Sequence, residues 1–258
     1  MEIELLGLVD LRASGKTIAA VPEKIRQFLA ALAWQPNQLL SDETVIRHIW
    51  ADSPPQNPRA VLYTYASRLR QLFREYEELD RSPLVRHSGG YVLEVDPRCI
   101  DLHRFRLLVS QGRQASRARD DWAAIELFDQ ALHLWGTVPL ANIRSSWATI
   151  ARVGLEHERL AALVDQLRTM LLLGRHLEVL PLLRALVAKN PLDEKLTAML
   201  IVALCRCGRS SEALHLFREI RKRLIEELGI YPGAPLQDLH NRILSEDHSI
   251  MRNAWIMH

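Results

Sequence analysis

The chain has 258 residues, 48% hydrophobic and 25% charged, which is the make-up of an ordinary globular protein with apolar material for one large or two modest cores. A formal net charge of +2, with 12 Lys+Arg against 13 Asp+Glu in residues 1–100, excludes a uniformly basic surface, so any affinity for nucleic acid must come from local clustering. Three scattered cysteines exclude a disulfide framework and suit a reducing cytosol. The acidic, alternating start MEIELLGLVDLR is no signal peptide, and the longest apolar runs fall short of a membrane span.

From Glu2 to Leu11 apolar and polar residues alternate around Gly7, a turn follows at Ala13 to Lys16, and Thr17 to Val21 forms a short apolar return. This pattern predicts an antiparallel β opening. Pro22 then stands where a helix can start, and Ile25, Phe28, Leu29 and Leu32 follow at helical spacing as core residues. Ser41 before Asp42 and Glu43 is a capping residue followed by two acids, which predicts a second helix running to about Trp50. The prolines and Asn57 of ADSPPQNP predict an exposed loop.

Residues 58 to 74, PRAVLYTYASRLRQLFR, hold four arginines and no acid. At about 100° per residue, Val61, Leu62, Tyr65, Leu69, Leu72 and Phe73 share one helix face. Arg59, Tyr63, Ser67, Arg70, Gln71 and Arg74 take the opposite face, with Thr64 and Arg68 on its border. One side is built for a core, and the other offers cations and hydrogen-bond donors, a combination suited to a DNA groove. A plain solvated amphipathic helix would show the same apolar stripe. Next, Leu84 to His87 and Tyr91 to Val95 flank Ser88-Gly89-Gly90, a hairpin signal. Two helices in tandem, the last one basic, followed at once by a hairpin, are the plan of a winged helix-turn-helix.

After Asp96-Pro97 the strand signals stop and amphipathic helices succeed one another. Gly174-Arg175 precedes LEVLPLLRAL and Gly208-Arg209 precedes SEALHLFREI, 34 residues apart, and Trp122 to Leu132 repeats the apolar pattern. That period is the length of a tetratricopeptide helix pair. Pro191, and Pro232 after the helix-ending Gly229, punctuate the array. The expected architecture is an α+β winged helix-turn-helix over 1–97, an all-α tetratricopeptide-like domain over 98–247 with room for about three helix pairs, and a tail at 248–258.

Signatures of chemistry are missing. There is no phosphate loop, dinucleotide fingerprint, HExxH or GxSxG motif, and the ten histidines lack metal-ligand spacing. Cys205 and Cys207 diverge by about 200° on a helix, which favours small structural hydrophobes over ligands. Neither an enzyme nor a bound cofactor or metal is expected.

The layout, together with EIELLGLVDLR, TVIRHIWADSPPQNPRAVLYTYASRLRQLF, GGYVLEVDPRCIDLHRF, LGRHLEVLPLLRALVAKNPLDEKL and ALHLFREIRKRLIEELGIYPGAPLQDLHNRIL, resembles the Streptomyces antibiotic regulatory proteins over about residues 1–245. The resemblance implies an OmpR-type winged helix joined to a bacterial transcriptional activator domain. It implies binding to direct repeats in promoter DNA, with the third helix in the major groove and the hairpin wing in the minor groove. Recruitment of RNA polymerase holoenzyme and activation of secondary-metabolite genes are implied as well. On matching positions Arg59, Ser67, Arg68 and Arg70 fall where such proteins contact groove and phosphate, Trp50 falls on a backbone-contacting tryptophan, and Arg86 and His87 lie in the wing. Tyr63, Thr64 and Arg74 complete the expected DNA-facing set, and Ser53, Pro54, Pro55 and Gln56 are the expected polymerase contact. The wing reads HSGGY where many relatives read RPPGY. Larger relatives append an ATPase domain; neither that domain nor a receiver domain ahead of the winged helix is expected in these 258 residues. Self-association on DNA and a cytoplasmic, nucleoid-associated location complete the expectation. A helical-repeat adaptor whose winged helix binds protein is the competing reading, and the acid-free arginine face speaks against it.

Overall fold

The computed structural model describes residues 1–13, 16–17, 21–51, 53–76 and 82–245. It is mostly helical, with a small amount of sheet confined to the first hundred residues. Strands β1 (Glu2–Glu4), β2 (Asp10–Ala13) and β3 (Lys16–Thr17) form an antiparallel sheet in that order. Helices α1 (Glu23–Trp34), α2 (Asp42–Trp50) and α3 (Pro58–Tyr76) follow, with the two-residue β4 (Leu40–Ser41) just before α2. A hairpin of β5 (Leu84–His87) and β6 (Gly90–Leu93) comes next, and β6 pairs with β4 on its other edge. Thereafter the chain is helical: α4 (Asp101–Arg117), α5 (Asp121–His133), α6 (Ser146–Leu172), α7 (His176–Lys189), α8 (Glu194–Arg206), α9 (Ser210–Arg223), which ends in a π turn, and α10 (Ala234–Leu244).

The chain forms two compact units, residues 1–111 with 127–162, and residues 112–126 with the chain from 163 onward. In the first unit Ile25, Phe28, Leu29 and Leu32 of α1 are buried together with Val45 and Ile49 of α2 and Leu62, Ala66, Leu69 and Phe73 of α3. The α2 start is capped as its sequence requires: the Ser41 hydroxyl accepts the Thr44 N–H at 3.2 Å. At its other end Lys24 Nζ donates to the Ile49 carbonyl at 2.9 Å, tying α1 to the exposed carbonyls of α2.

The antiparallel β opening is present, and within it the alternating stretch from Glu2 to Leu11 forms two short strands around an irregular loop. Residues 5–9 find their hydrogen bonds elsewhere. The buried Asp101 carboxylate accepts the N–H groups of Leu5 and Leu6 at 2.8 and 2.9 Å, and Asn142 exchanges two bonds with the backbone of Val9. Gly136 N–H donates to the Leu6 carbonyl and Leu140 N–H to that of Leu5. Gly7 and Gly136 meet so closely that a Cβ on Gly136 would stand 3.2 Å from the Gly7 Cα. Burial pushes the Asp101 carboxyl up to about 6, against three backbone donors that favour its charged form. Of the apolar return at Thr17 to Val21, residues 18–20 lie outside the described residues, as does the expected tail.

In the second unit the 34-residue register is visible atom by atom. Gly174 and Gly208 close α6 and α8 with φ of +80° and +74°. Arg175 N–H donates to Met170 O, and Arg209 N–H to Leu204 O. Both arginines then pair with a glutamate three residues on, Glu178 and Glu212. These are matching helix ends, the left-handed glycine being what each requires. Among the described residues no helix is long and apolar enough to cross a membrane. Cys205 is buried, which pushes its thiol up to about 11 and keeps it a neutral packing group.

Candidate nucleic-acid interface

Helix α3 presents two faces. Leu62, Ala66, Leu69 and Phe73 are buried, and Val61, Tyr65 and Leu72 flank them half-buried. On the outer face Arg59, Tyr63, Thr64, Ser67, Arg68 and Arg74 are all exposed. Within the helix the outward row meets no carboxylate until Glu75, which accepts a bond from Gln71 at 2.7 Å. Among the described residues Arg59 alone of the row reaches an acid: its Nε stands 3.9 Å from Oδ2 of the buried Asp42, and its Nη2 pairs with the exposed Glu43 Oε1 of α2 at 3.2 Å. Arg59 and Glu43 are both exposed, so their pair is weak and a phosphate can displace it. Asn57 caps the helix by accepting the Ala60 N–H at 3.2 Å.

Two expected contact residues turn out to be engaged inside the protein. Arg70 lies half-buried, its Nε donating to the Leu84 carbonyl at 3.0 Å, because the hairpin covers the side of α3 from which it projects. A helical projection alone assigned it to the outer face. Arg86, on β5, is held by Asp42 through both terminal nitrogens, with Nη2 2.8 Å from Oδ2, and it also donates to the Gly90 carbonyl. Its guanidinium lies 4.4 Å from the centre of the Tyr91 ring and 5.2 Å from that of Tyr63. Asp42 is 3% exposed, and the bond from Arg86 holds its carboxyl below the usual aspartate value. Half-buried, doubly bonded and ring-stacked, Arg86 tethers the hairpin to α2.

The tether has a purpose visible in the backbone. Asp42 N–H donates to the Gly89 carbonyl at 2.9 Å, and Ser41 pairs with Gly90 across β4 and β6. A Cβ on Gly90 would collide with the Leu40 carbonyl oxygen, so only glycine lets β6 approach β4 this closely. Gly89, at φ +82°, makes the turn. The hairpin is thus fixed to the start of α2 and to the flank of α3, with His87, Ser88 and Gly89 exposed at its tip. Trp50 is half-buried and stacks on Tyr65, with ring centres 5.9 Å apart. Ser53, Pro54 and Gln56 are exposed and Pro55 half-buried in the α2–α3 loop, whose residue 52 lies outside the described residues.

Arg59, Tyr63, Thr64, Ser67, Arg68 and Arg74 thus stand exposed on α3, Trp50 lies against Tyr65 of that helix, His87 is exposed at the hairpin tip, and Arg70 and Arg86 are held by the protein itself. Asp42 is the residue sequence reasoning missed as a site determinant. Its only local signal was a helix-start acid, and its partner is 44 residues away. His48, at the far side of α2, stacks on Trp147 with ring centres 4.8 Å apart, and its imidazole is pushed below its usual value by burial and by Arg47.

Comparison with known proteins gives one consistent picture. Residues 100–244 match the family described as bacterial transcriptional activator domain. The chain is 34% identical over 259 residues to the regulatory protein DnrI of Streptomyces peucetius, covering 98% of this chain and 95% of that one. It is 36% identical over 250 residues to the transcriptional regulator RedD of Streptomyces coelicolor, covering 96% of this chain and 71% of that protein. Among solved structures, Mycobacterium tuberculosis EmbR in complex with a low-affinity phosphopeptide superposes with a TM-score of 0.89 at 28% identity. That match covers 95% of this chain and 65% of that one.

Proposed function

The chain belongs to the Streptomyces antibiotic regulatory protein family, a family of transcriptional regulators and not of enzymes, and from that premise we propose that it is a sequence-specific activator acting on promoter DNA. In this reading α1 to α3 with the β5–β6 hairpin form an OmpR-type winged helix over residues 1–97. The helices of 98–247 are its tetratricopeptide-like activator domain. Helix α3 enters the major groove and the hairpin tip meets the adjacent minor groove. The observation that carries the reading is the outer face of α3, where Arg59, Arg68 and Arg74 stand exposed with Tyr63, Thr64 and Ser67 between them, over a buried apolar stripe.

Cations there neutralise phosphates and release counterions, while Arg68, Ser67 and Thr64 are positioned to test base edges. Trp50 and His87 contact the phosphodiester backbone at the two flanks. Arg70 and Arg86 act at one remove, holding the hairpin at a fixed angle to α3. One such module reads few bases, so two copies occupy direct repeats about one DNA turn apart. The exposed Ser53 to Gln56 loop contacts RNA polymerase, the protein works in the cytoplasm on the nucleoid, and its targets are secondary-metabolite genes. DNase footprinting on the promoters beside its own gene tests this: protected repeats at helical spacing, lost as salt rises, are expected. Replacing Ser53 to Gln56 with glycine and serine should lower transcription in vitro while leaving DNA affinity unchanged; parallel loss of both would refute the polymerase role.

A further inference from the structure

Within the second unit, α8 and α10 are joined at the ends where they begin. Glu194, at the start of α8, accepts the Gly233 N–H at 2.6 Å, closing the end where α10 begins. Beyond that point the helices enclose a cavity of about 680 Å³. Its walls are apolar, with Ala198, Met199 and Val202 from α8 and Leu236 from α10, all shielded from bulk solvent by the fold. Small residues hold the walls apart: Ala198 and Ala234 carry only a methyl group. Gly233 carries none, and a Cβ there would stand 3.3 Å from Glu194 Oε2.

Charge around this cavity is uneven. Arg168 of α6, Lys195 of α8 and Arg242 of α10 line it, against the acids Glu194 and Asp238. Glu194 is already committed to the Gly233 N–H. Arg168 is poorly served by its surroundings. Its Nε is buried and meets no hydrogen-bond acceptor among the described residues. Its Nη2 is 3.9 Å from Asp165, whose other oxygen already takes a 2.7 Å bond from Arg113. The side chain as a whole is 34% exposed, so its terminal nitrogens stay open to an acceptor that enters the cavity. The volume falls in the range of small-molecule sites, as does the combination of apolar walls with a few converging polar groups.

We propose that this cavity binds a small amphipathic carboxylate, its apolar body against Met199, Val202 and Leu236 and its carboxylate on Arg168. The site lies in the helical unit and would exist whether or not α3 binds DNA, so its test is independent of the promoter reading. The complementarity is one of charge: an anionic head satisfies the Arg168 donors, and a neutral head of equal shape satisfies them less well.

Isothermal titration of the full chain with naphthylacetate, and with the neutral naphthylacetamide, provides the test. Saturable one-site binding of the carboxylate is expected, with the amide about tenfold weaker. Arg168→Gln should weaken the carboxylate about tenfold and leave the amide unchanged. Met199→Trp should abolish both by filling the cavity, and Ala198→Leu does the same job if the tryptophan variant does not fold. No saturable binding to the wild type would overturn the proposal. So would equal affinity for acid and amide, an Arg168→Gln affinity within twofold of wild type, or full binding by the cavity-filled variant.

Discussion

The outer face of α3 and the edge it turns toward the hairpin carry the same kind of side chain under opposite conditions. Outward, Arg68 and Arg74 stand in solvent beside Ser67. On the hairpin side Arg70 is drawn onto the Leu84 carbonyl, and facing the same helix Arg86 is locked to the buried Asp42 between the rings of Tyr63 and Tyr91. Arginine is suited to both uses, because its planar fork binds a carboxylate as readily as a phosphate. What assigns each one its role is the acceptor the fold places nearby. Among the described residues Arg86 and Arg70 meet fixed oxygen atoms, and Arg68 and Arg74 face outward.

The contrast breaks most severely at Asp42. Asp42→Ala leaves the Arg86 guanidinium half-buried without its counter-charge and frees the hairpin from α2. We expect a loss of about 3 kcal/mol of unfolding free energy by denaturant titration, with DNA affinity impaired through the hairpin. Gly90→Ala attacks the same junction from the backbone. Its Cβ must push β6 off the Leu40 carbonyl, and we expect about 2 kcal/mol of destabilisation in the same assay. The smallest effect is a pH dependence. Because Asp42 is depressed in the folded chain, the stabilisation it brings is complete above the unfolded aspartate value, near pH 4, and is lost as pH falls through the lower folded value. The gap in melting temperature between wild type and Asp42→Asn should therefore be constant above about pH 5 and shrink below about pH 4; a gap that widens on acidification would show that the pair does not stabilise the fold.

Much of this organisation is legible in the sequence. Ser41 capped α2 as its spacing predicts, the two-residue turn at Ser88-Gly89 made the hairpin, and the 34-residue recurrence of Gly-Arg reappeared as two matching helix ends. Each of these is a local matter: a cap, a turn or a period acts within a few residues. What could not be read was long-range. A helical projection of α3 separates polar from apolar but does not know that a hairpin will lie along one edge, so Arg70 was assigned to the outer face. Likewise nothing near Leu5 to Val9 announces that Asp101, Gly136 and Asn142 will take up their backbone bonds and separate β1 from β2 by an irregular loop. The Asp42–Arg86 pair belongs to the same class, since two charges far apart in sequence identify each other only once β6 has paired with β4.

The division between presented and tethered arginines comes down to Arg68. Its affinity for promoter DNA should be followed by mobility shift across a range of salt concentrations, with wild type and Arg68→Ala side by side and thermal melts confirming equal stability. We expect the variant to lose about 1–3 kcal/mol of site binding, with its plot of log affinity against log salt flattened by about one unit if the contact is to phosphate and unchanged in slope, but relaxed in sequence preference, if it is to a base. Wild-type affinity, salt slope and sequence preference in a folded Arg68→Ala protein would contradict the assignment of this face to DNA.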